Sequence, residues 1–338
     1  VRASAPPWTR YRAQRPRAAG AGSARTLPGQ RLGGRERLLV AVASLTAGLL
    51  AFHRAVPDAA VRAGSLLEAF LPWLGAVAVV LFVLALTLRS PAALVAVLLP
   101  AGVWTHQFGH LLLPDPGPGR DDLVVVQHNV ADDNADPAGT ARVLAEAGPD
   151  LVALQELVPR SLPVYASTFA PDYPYHAVRG TVGLWSRHPL SGTRAVDIRP
   201  PGIAESWNRG LRTVVHTPSG PIATYVAHLP SVRLGSHGLT SSRRDAGAEL
   251  LGRVIAAEPQ RSVLLLGDLN GTVDDRGLAP LTSRLGTARR GFAFSFPAAA
   301  PVTRIDQVMA RPATVGHIGT LPRTGSDHLP VIARITPR

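Results

Sequence analysis

The chain contains no cysteine, so disulfides, thiolate metal sites and thiol nucleophiles are all excluded. That absence fixes no compartment; it permits an oxidising exterior without requiring one. Lysine is missing as well, and all 35 basic residues are arginine. Beside so much alanine, glycine and proline, this uniform usage reads as a coding bias. Arginine content therefore says less about phosphate recognition than it normally would. No glycine-rich phosphate loop and no internal repeat is present.

The net charge of +12 invites a nucleic-acid reading, but its distribution weakens that reading. Residues 1–37 hold nine Arg and one Glu, whereas residues 115–338 hold 23 Arg against 20 acids. Most of the excess is thus a basic tail. Rich in Arg, Ala, Pro and Gly and without periodicity, residues 1–37 are expected to be disordered. They fit a signal peptide poorly, because no clean small-residue cleavage site follows.

Three apolar runs come next, at about residues 38–56, 66–88 and 92–113. Each is near the ~20 residues that cross a bilayer. A buried helical core is the competing reading. Three consecutive runs with almost no internal charge favour three transmembrane helices, and so a multi-pass protein of the cell membrane. Glu68 lies near the start of the second run. In the third, His106 and His110 stand four apart on one helix face, a conceivable metal pair without an acidic partner. The Arg-rich tail and Arg89 are expected on the cytoplasmic side, which puts everything after Leu113 outside. Anionic lipid of the inner leaflet is the natural partner of that tail.

A Pro- and Gly-rich linker, residues 114–121, then precedes a soluble part at 122–338. Strands are expected at 123–130, 151–156, 181–186, 211–217, 222–229, 262–266, 304–309 and 330–335. Helices are expected at 136–148, 241–257 and 277–285. Hairpins mix with crossovers, which predicts a mixed-sheet α/β or α+β layered domain.

Many of these strands end in a group able to bind a cation or a phosphate: Asn129, Glu156, His228, Asp268 with Asn270, Asp306, and Asp327 with His328. Each alone is weak, since Asn and Asp are common turn formers. Glu156 is less easily dismissed, because Glu is depleted in strands and costly beside a core. Alternation puts Val152, Leu154 and Glu156 on one face, and Leu264, Leu266, Asp268 and Asn270 on one face. His128 points opposite to Asn129 and reads as structural. Carboxylates with a carboxamide oxygen suit a hard cation, Mg²⁺ or Mn²⁺. The serines lack a nucleophile-elbow context. Attack of water on a phosphoester is the chemistry such a set performs.

The stretches QHNV at 127, ALQE at 153, WSRHPL at 185, AHLP at 227, GDLN at 267, RIDQV at 304 and GSDHLP at 325 resemble the endonuclease/exonuclease/phosphatase (deoxyribonuclease-I-like) superfamily. The resemblance spans about Leu123 to Ile335. It implies a four-layer sandwich of two packed mixed sheets flanked by helices. It also implies that Asn129, Glu156 and Asp327 hold the metal, and that Asp268 orients or deprotonates water. Asn270 would hold that water or the phosphate. His328, polarised by Asp306, would contact the phosphate, with His228 near the leaving group. Ser186 and Arg187 would support the sheet rim.

These readings predict a membrane-tethered, metal-dependent phosphoester hydrolase, a nuclease or general phosphodiesterase. A phosphodiesterase or phosphatase acting on lipid head groups or inositol phosphates of the same fold stays open. So do a binding module that lost its chemistry and a three-span transport or sensing protein. The partners implied are a phosphoester, nucleic acid or lipid, and the bilayer.

Overall fold

The computed structural model describes residues 32–337 except 59–61, 118, 120–121 and 236–237. The basic tail up to residue 31 lies outside the described residues. Residues 34–37 belong to the first helix instead of a disordered tail. There Glu36 accepts from the Gly33 backbone N–H at 2.9 Å and so caps the helix start.

Among the described residues, four α-helices precede the soluble part: α1 (Gly34–Phe52), α2 (Ala63–Ala69), α3 (Leu74–Thr87) and α4 (Pro91–Phe108). Helices α1, α3 and α4 pack through Leu39, Ala43, Leu81, Ala85, Ala93 and Val97. The alanines let the backbones approach closely. Their outward side chains are apolar: Leu45, Val79, Val95 and Leu98 are 63–66% exposed, a surface that calls for an apolar cover. Two stretches, Gly34–Ala55 and Pro91–Leu112, are long and apolar enough to cross a membrane.

The run at 66–88 is not one helix. It breaks at Phe70, and α2 is bent by 65° from the segment Leu71–Thr87. Pro72 explains the break, because it has no N–H to donate to the carbonyl of Glu68. That carbonyl instead accepts from Thr272 Oγ1 at 3.3 Å. So α2 leaves the bundle and lies on the soluble part.

The bundle meets the soluble part at one end. Arg276 donates to the His53 carbonyl at 3.0 Å, Trp73 Nε1 to Val302 at 2.8 Å, and Gly291 N–H to Leu111 at 2.9 Å. The opposite end carries Arg35, Arg37 and the Arg89 turn, where Glu36 lies beside Ser90.

The soluble part contains two mixed sheets. The first orders β12-β13-β1-β2-β4-β3, built from β1 (Leu123–Asn129), β2 (Leu151–Gln155), β3 (Tyr175–Arg179), β4 (Val182–Ser186), β12 (Thr314–Thr320) and β13 (Val331–Thr336). The second orders β11-β10-β7-β6-β5, from β5 (Leu190–Ala195), β6 (Gly210–Thr217), β7 (Gly220–His228), β10 (Val263–Asp268) and β11 (Asp306–Arg311). A two-stranded ribbon, β8 (Leu234–Gly235) with β9 (Gly238–Leu239), stands apart.

The sheets face each other across Val125, Leu151, Ala153, Val226, Leu264 and Leu266. Helices α5 (Pro137–Glu146) and α6 (Leu162–Phe169) cover the first sheet, and α7 (Ser242–Ala256) with α8 (Ala279–Thr282) the second. This is the four-layer sandwich expected. Each fully buried Leu of the inter-sheet layer contributes about 1.5–3 kcal/mol. The helix expected at 277–285 shrinks to a 3-10 turn, Arg276–Leu278, and the single turn α8. Asp275 starts that 3-10 turn by accepting from Gly277 N–H at 2.9 Å, while Arg276 is drawn to Glu68.

Candidate active site

In both sheets the parallel pairs, β1 with β2 and β7 with β10, finish at the same end. On the second sheet Asp268 is in register with His228 on one side and Asp306 on the other. Three ionisable groups therefore stand abreast on one rung, all buried. Close strand approach requires the preceding glycine: a Cβ at Gly267 would overlap the carbonyl oxygen of Ala227.

Asp268 is held from several sides. Its Oδ1 accepts from Asn270 N–H at 2.9 Å, and its Oδ2 accepts from Asn129 Nδ2 at 3.0 Å, across the sheet gap. His228 Nε2 and His328 Nε2 lie 3.6 and 3.8 Å from the same oxygen. Burial raises the Asp268 carboxyl to about 7 against the pull of the His328 charge.

Asp306 is saturated. It accepts from Gln127 Nε2 at 2.8 Å, Ser295 Oγ at 2.6 Å and His328 Nδ1 at 2.8 Å. Burial alone would lower His328, but the charge and hydrogen bond of Asp306 outweigh it and hold the imidazolium up to about 10. Ser326 staples this segment to β1, donating to the Asn129 carbonyl at 2.7 Å. Phe296 packs on the His328 ring, with centroids 4.9 Å apart.

Glu156 reaches the site by a route that strict alternation does not give. Val152 and Leu154 face the helix-covered side of the sheet, and a straight strand would aim Glu156 there too. Glu156 instead has φ +60°, and this left-handed kink turns its carboxylate into the cleft, 3.8 Å from His228. Asn270 is also left-handed, at φ +48°. Its Nδ2 donates one hydrogen to the Leu229 carbonyl at 2.9 Å, and its oxygen accepts no protein hydrogen bond among the described residues. Asp327 sits at the rim, its side chain 67% exposed.

Asn129, Glu156, Asp268, Asn270, Asp327 and His328 line one cleft of about 490 Å³. Its free donors are oxygens. Glu156 receives one backbone N–H, from Asp132 at 3.3 Å, which leaves lone pairs available, and Asn129 Oδ1 receives one, from Ala131 at 3.1 Å. That donor set fits a hard divalent cation. Asp268, Asp306 and His328 also bring ligand atoms within 4.8 Å of one another. With Asp306 accepting three hydrogen bonds, that trio is better described as a proton-holding unit.

Arg209 is the residue that strand-end reasoning misses. It donates to the His228 ring, 3.1 Å from Nδ1, and stacks on Trp207 at 5.4 Å. Burial, then Arg209, then His328 push His228 well below its ordinary value, so this ring is neutral. Arg209 precedes a strand and follows no motif, which left no signal to find it by.

Other residues lie elsewhere. His128 is buried on the far face, bonded to Thr324 at 2.9 Å, with burial lowering it to about 3. Ser186 pairs with Leu151 at the opposite end of the sheet, and Arg187 covers Tyr173. His110 falls beyond the end of α4, in the 3-10 turn Gly109–Leu112.

The soluble part has the fold of several solved structures. Humanized D. rerio TDP2 superposes with a TM-score of 0.53 at 20% identity, covering 64% of this chain and 100% of that one. A beta toxin from Staphylococcus aureus with bound magnesium ions gives 0.51 at 14% identity, with 64% and 100% coverage. An endonuclease/exonuclease/phosphatase from Beutenbergia cavernae gives 0.50 at 20% identity, with 64% and 72% coverage. No curated protein matches the chain at the sequence level. Residues 126–328, more than half of the chain, match the Endonuclease/Exonuclease/phosphatase family, whose members cleave phosphoesters. Fold, motif order and strand-end cleft agree with that match, and the chain belongs to the endonuclease/exonuclease/phosphatase family.

Proposed function

We propose that this chain is a membrane-tethered, divalent-metal-dependent phosphoester hydrolase that directs water at phosphorus. The observation that carries the reading is convergence: strand ends of both sheets supply oxygens, a buried carboxyl near neutrality and an imidazolium to one cleft. Asn129, Glu156 and Asp327 are assigned to Mg²⁺ or Mn²⁺. Such an ion would offset the charge that develops on the phosphate oxygens.

Asp268 takes the proton of the attacking water, and a carboxyl near 7 suits that task. Asn270 orients the water by accepting its second proton on the carboxamide oxygen. His328 donates toward a phosphate oxygen, its ring fixed by Asp306. His228, neutral and bonded by Arg209, stands on the side assigned to the leaving group. Water oxygen joins phosphorus, the bond to one ester oxygen breaks, and that oxygen takes up a proton in turn.

Multi-pass anchoring with an extracellular catalytic unit belongs to the same proposal. Three crossings by α1, α3 and α4 would leave Arg35, Arg37 and Arg89 cytoplasmic. Protease added to intact cells should then cleave the catalytic unit; full protection would overturn the orientation. For the chemistry, the full-length chain in detergent micelles with Mg²⁺ or Mn²⁺ should hydrolyse bis(p-nitrophenyl) phosphate. Undiminished turnover in EDTA would sink the metal mechanism.

A further inference from the structure

The cleft has two unlike walls. One is the polar set just described. The other comes from the membrane domain: Leu66, Ala69 and Phe70 of α2 and the bend after it. Phe70 is 41% exposed there, a large apolar ring presented to the space above the catalytic oxygens.

This wall is fixed in place. The buried Glu68 carboxylate accepts from the Arg276 backbone N–H at 2.8 Å, from its Nε at 3.0 Å and from its Nη2 at 2.9 Å. His53 Nδ1 lies 3.0 Å from the same carboxylate. Arg62 adds a contact to Asp245 at 3.2 Å. The chain segment that forms the wall therefore also ties α1 and α3 to the loop that follows Asn270.

From Phe70 the apolar surface continues without interruption by charge. Between residues 63 and 88 the sole charged residue is Glu68, and it is buried. Trp73, 41% exposed, comes next, its ring stacked on Phe294 at 5.5 Å. Val77, Val80 and Leu84 then extend one exposed stripe along α3, at 37%, 57% and 43%. An exposed Trp at the end of an apolar helix is the mark of a bilayer boundary. The cleft thus opens at the level where the lipid head groups of the same membrane lie.

Its charge agrees. Four lining residues are carboxylates, against Arg233 and His328 as cations. A nucleic-acid strand needs a track of cations for successive phosphates, and this lining has none. A single phosphoester attached to an apolar body matches both walls.

We propose that the substrate is a membrane lipid whose phosphoester head group enters the cleft while its chains rest against Leu66, Ala69, Phe70 and the outer face of α3. The proposal rests on the hydrolase reading above and names its substrate class. Water adds to phosphorus, one phosphorus–ester oxygen bond breaks, and the products are an alcohol and a phosphate monoester, one of them retaining the lipid chains.

The test uses the full-length chain with Mg²⁺ in detergent mixed micelles. The probes are phosphatidylglycerol, phosphatidylcholine and sphingomyelin, a single-stranded oligonucleotide, and bis(p-nitrophenyl) phosphate. At least one lipid should be turned over faster than the oligonucleotide, with a rate that falls as detergent dilutes it in the micelle. Phe70→Asp should lower the ratio of lipid to bis(p-nitrophenyl) phosphate turnover by about tenfold, the worth of roughly two buried methylene groups. Ala69→Asp should act in the same direction, and remaining turnover of the soluble ester reports that each variant is folded. Soluble ester or oligonucleotide cleaved with no lipid cleaved, or an unchanged ratio in both variants, overturns the lipid assignment alone. No cleavage of any probe overturns the hydrolase reading beneath it.

Discussion

Arg244 offers the sharpest test of how the loop after Asp268 is held. Its side chain is fully buried. It donates to Asp275 at 2.6 Å, to Asp245 at 2.7 Å and to the Asn270 carbonyl at 2.9 Å. Arg244→Met keeps most of the volume and removes all three bonds. Asp245 retains Arg62 and Ser241; Asp275, with a side chain only 3% exposed, loses its ion-pair partner. Breaking a buried pair from one side costs about 3–5 kcal/mol. For a unit of this size each kcal/mol lowers Tm by about 2–4 °C, so a drop of at least ~6 °C is expected.

The deficit should depend on pH in a defined direction. Burial already raises the Asp275 carboxyl, and Arg244 opposes that rise. Without Arg244 the folded carboxyl holds its proton more tightly than the unfolded one at 3.8. Stability of the variant then falls as the pH climbs above the unfolded value and recovers toward it. Intrinsic tryptophan fluorescence of the full chain in detergent, melted at pH 7 and pH 5, reads both effects. Asp275→Asn in the Arg244→Met background should return part of the loss. A deficit below ~1 kcal/mol at pH 7, or a double variant no more stable than the single one, would refute the reasoning.

The catalytic assignments predict that Asp268→Asn and His328→Ala each lower kcat by ~10²–10⁴, the second also lowering Tm because it leaves the buried Asp306 carboxylate without its cation; wild-type turnover in either removes that residue from the chemistry. Gly267→Ala should destabilise by about 1–3 kcal/mol, because the added methyl meets the Ala227 carbonyl and not a movable side chain. A Tm equal to wild type would contradict that contact. Arg212 and then Tyr225, against burial, hold the Glu258 carboxyl down at about 2. The stabilisation of about 3 kcal/mol that this implies is complete above the unfolded value of 4.5 and fades as pH falls toward 2. Glu258→Gln should therefore cost most at pH 7 and visibly less at pH 3; a cost independent of pH would exclude the ion pair as its source.

Most of the candidate site was legible because strand alternation carries a core face straight into its polar end. Leu264 and Leu266 lie between the sheets, and Asp268 follows them there. Gln127 and Asn129 do the same on β1. The exceptions have separate physical causes. Glu156 depends on a left-handed backbone that its sequence does not advertise. Arg209 acts from a loop, through a contact made only in three dimensions. The bend at Phe70 had a visible cause in Pro72, but hydropathy averages over a single residue and reads one span. Strand β12, with Gly316 and Gly319 and half-buried side chains, lacks the apolar alternation that marks its neighbours.

The rung of His228, Asp268 and Asp306 has a consequence for how the site tolerates change. Neighbouring strands are spaced ~4.8 Å apart by their main-chain bonds, so the sheet itself is the ruler that sets these three groups side by side. Repacking the core around them leaves the ruler intact. Sliding β10 by one residue would not: it would turn Asp268 outward and put Gly267 or Leu269 in its place. Insertions or deletions of a single residue within Val263–Asp268 should therefore abolish activity outright, while many side-chain changes in the same strand only tune it.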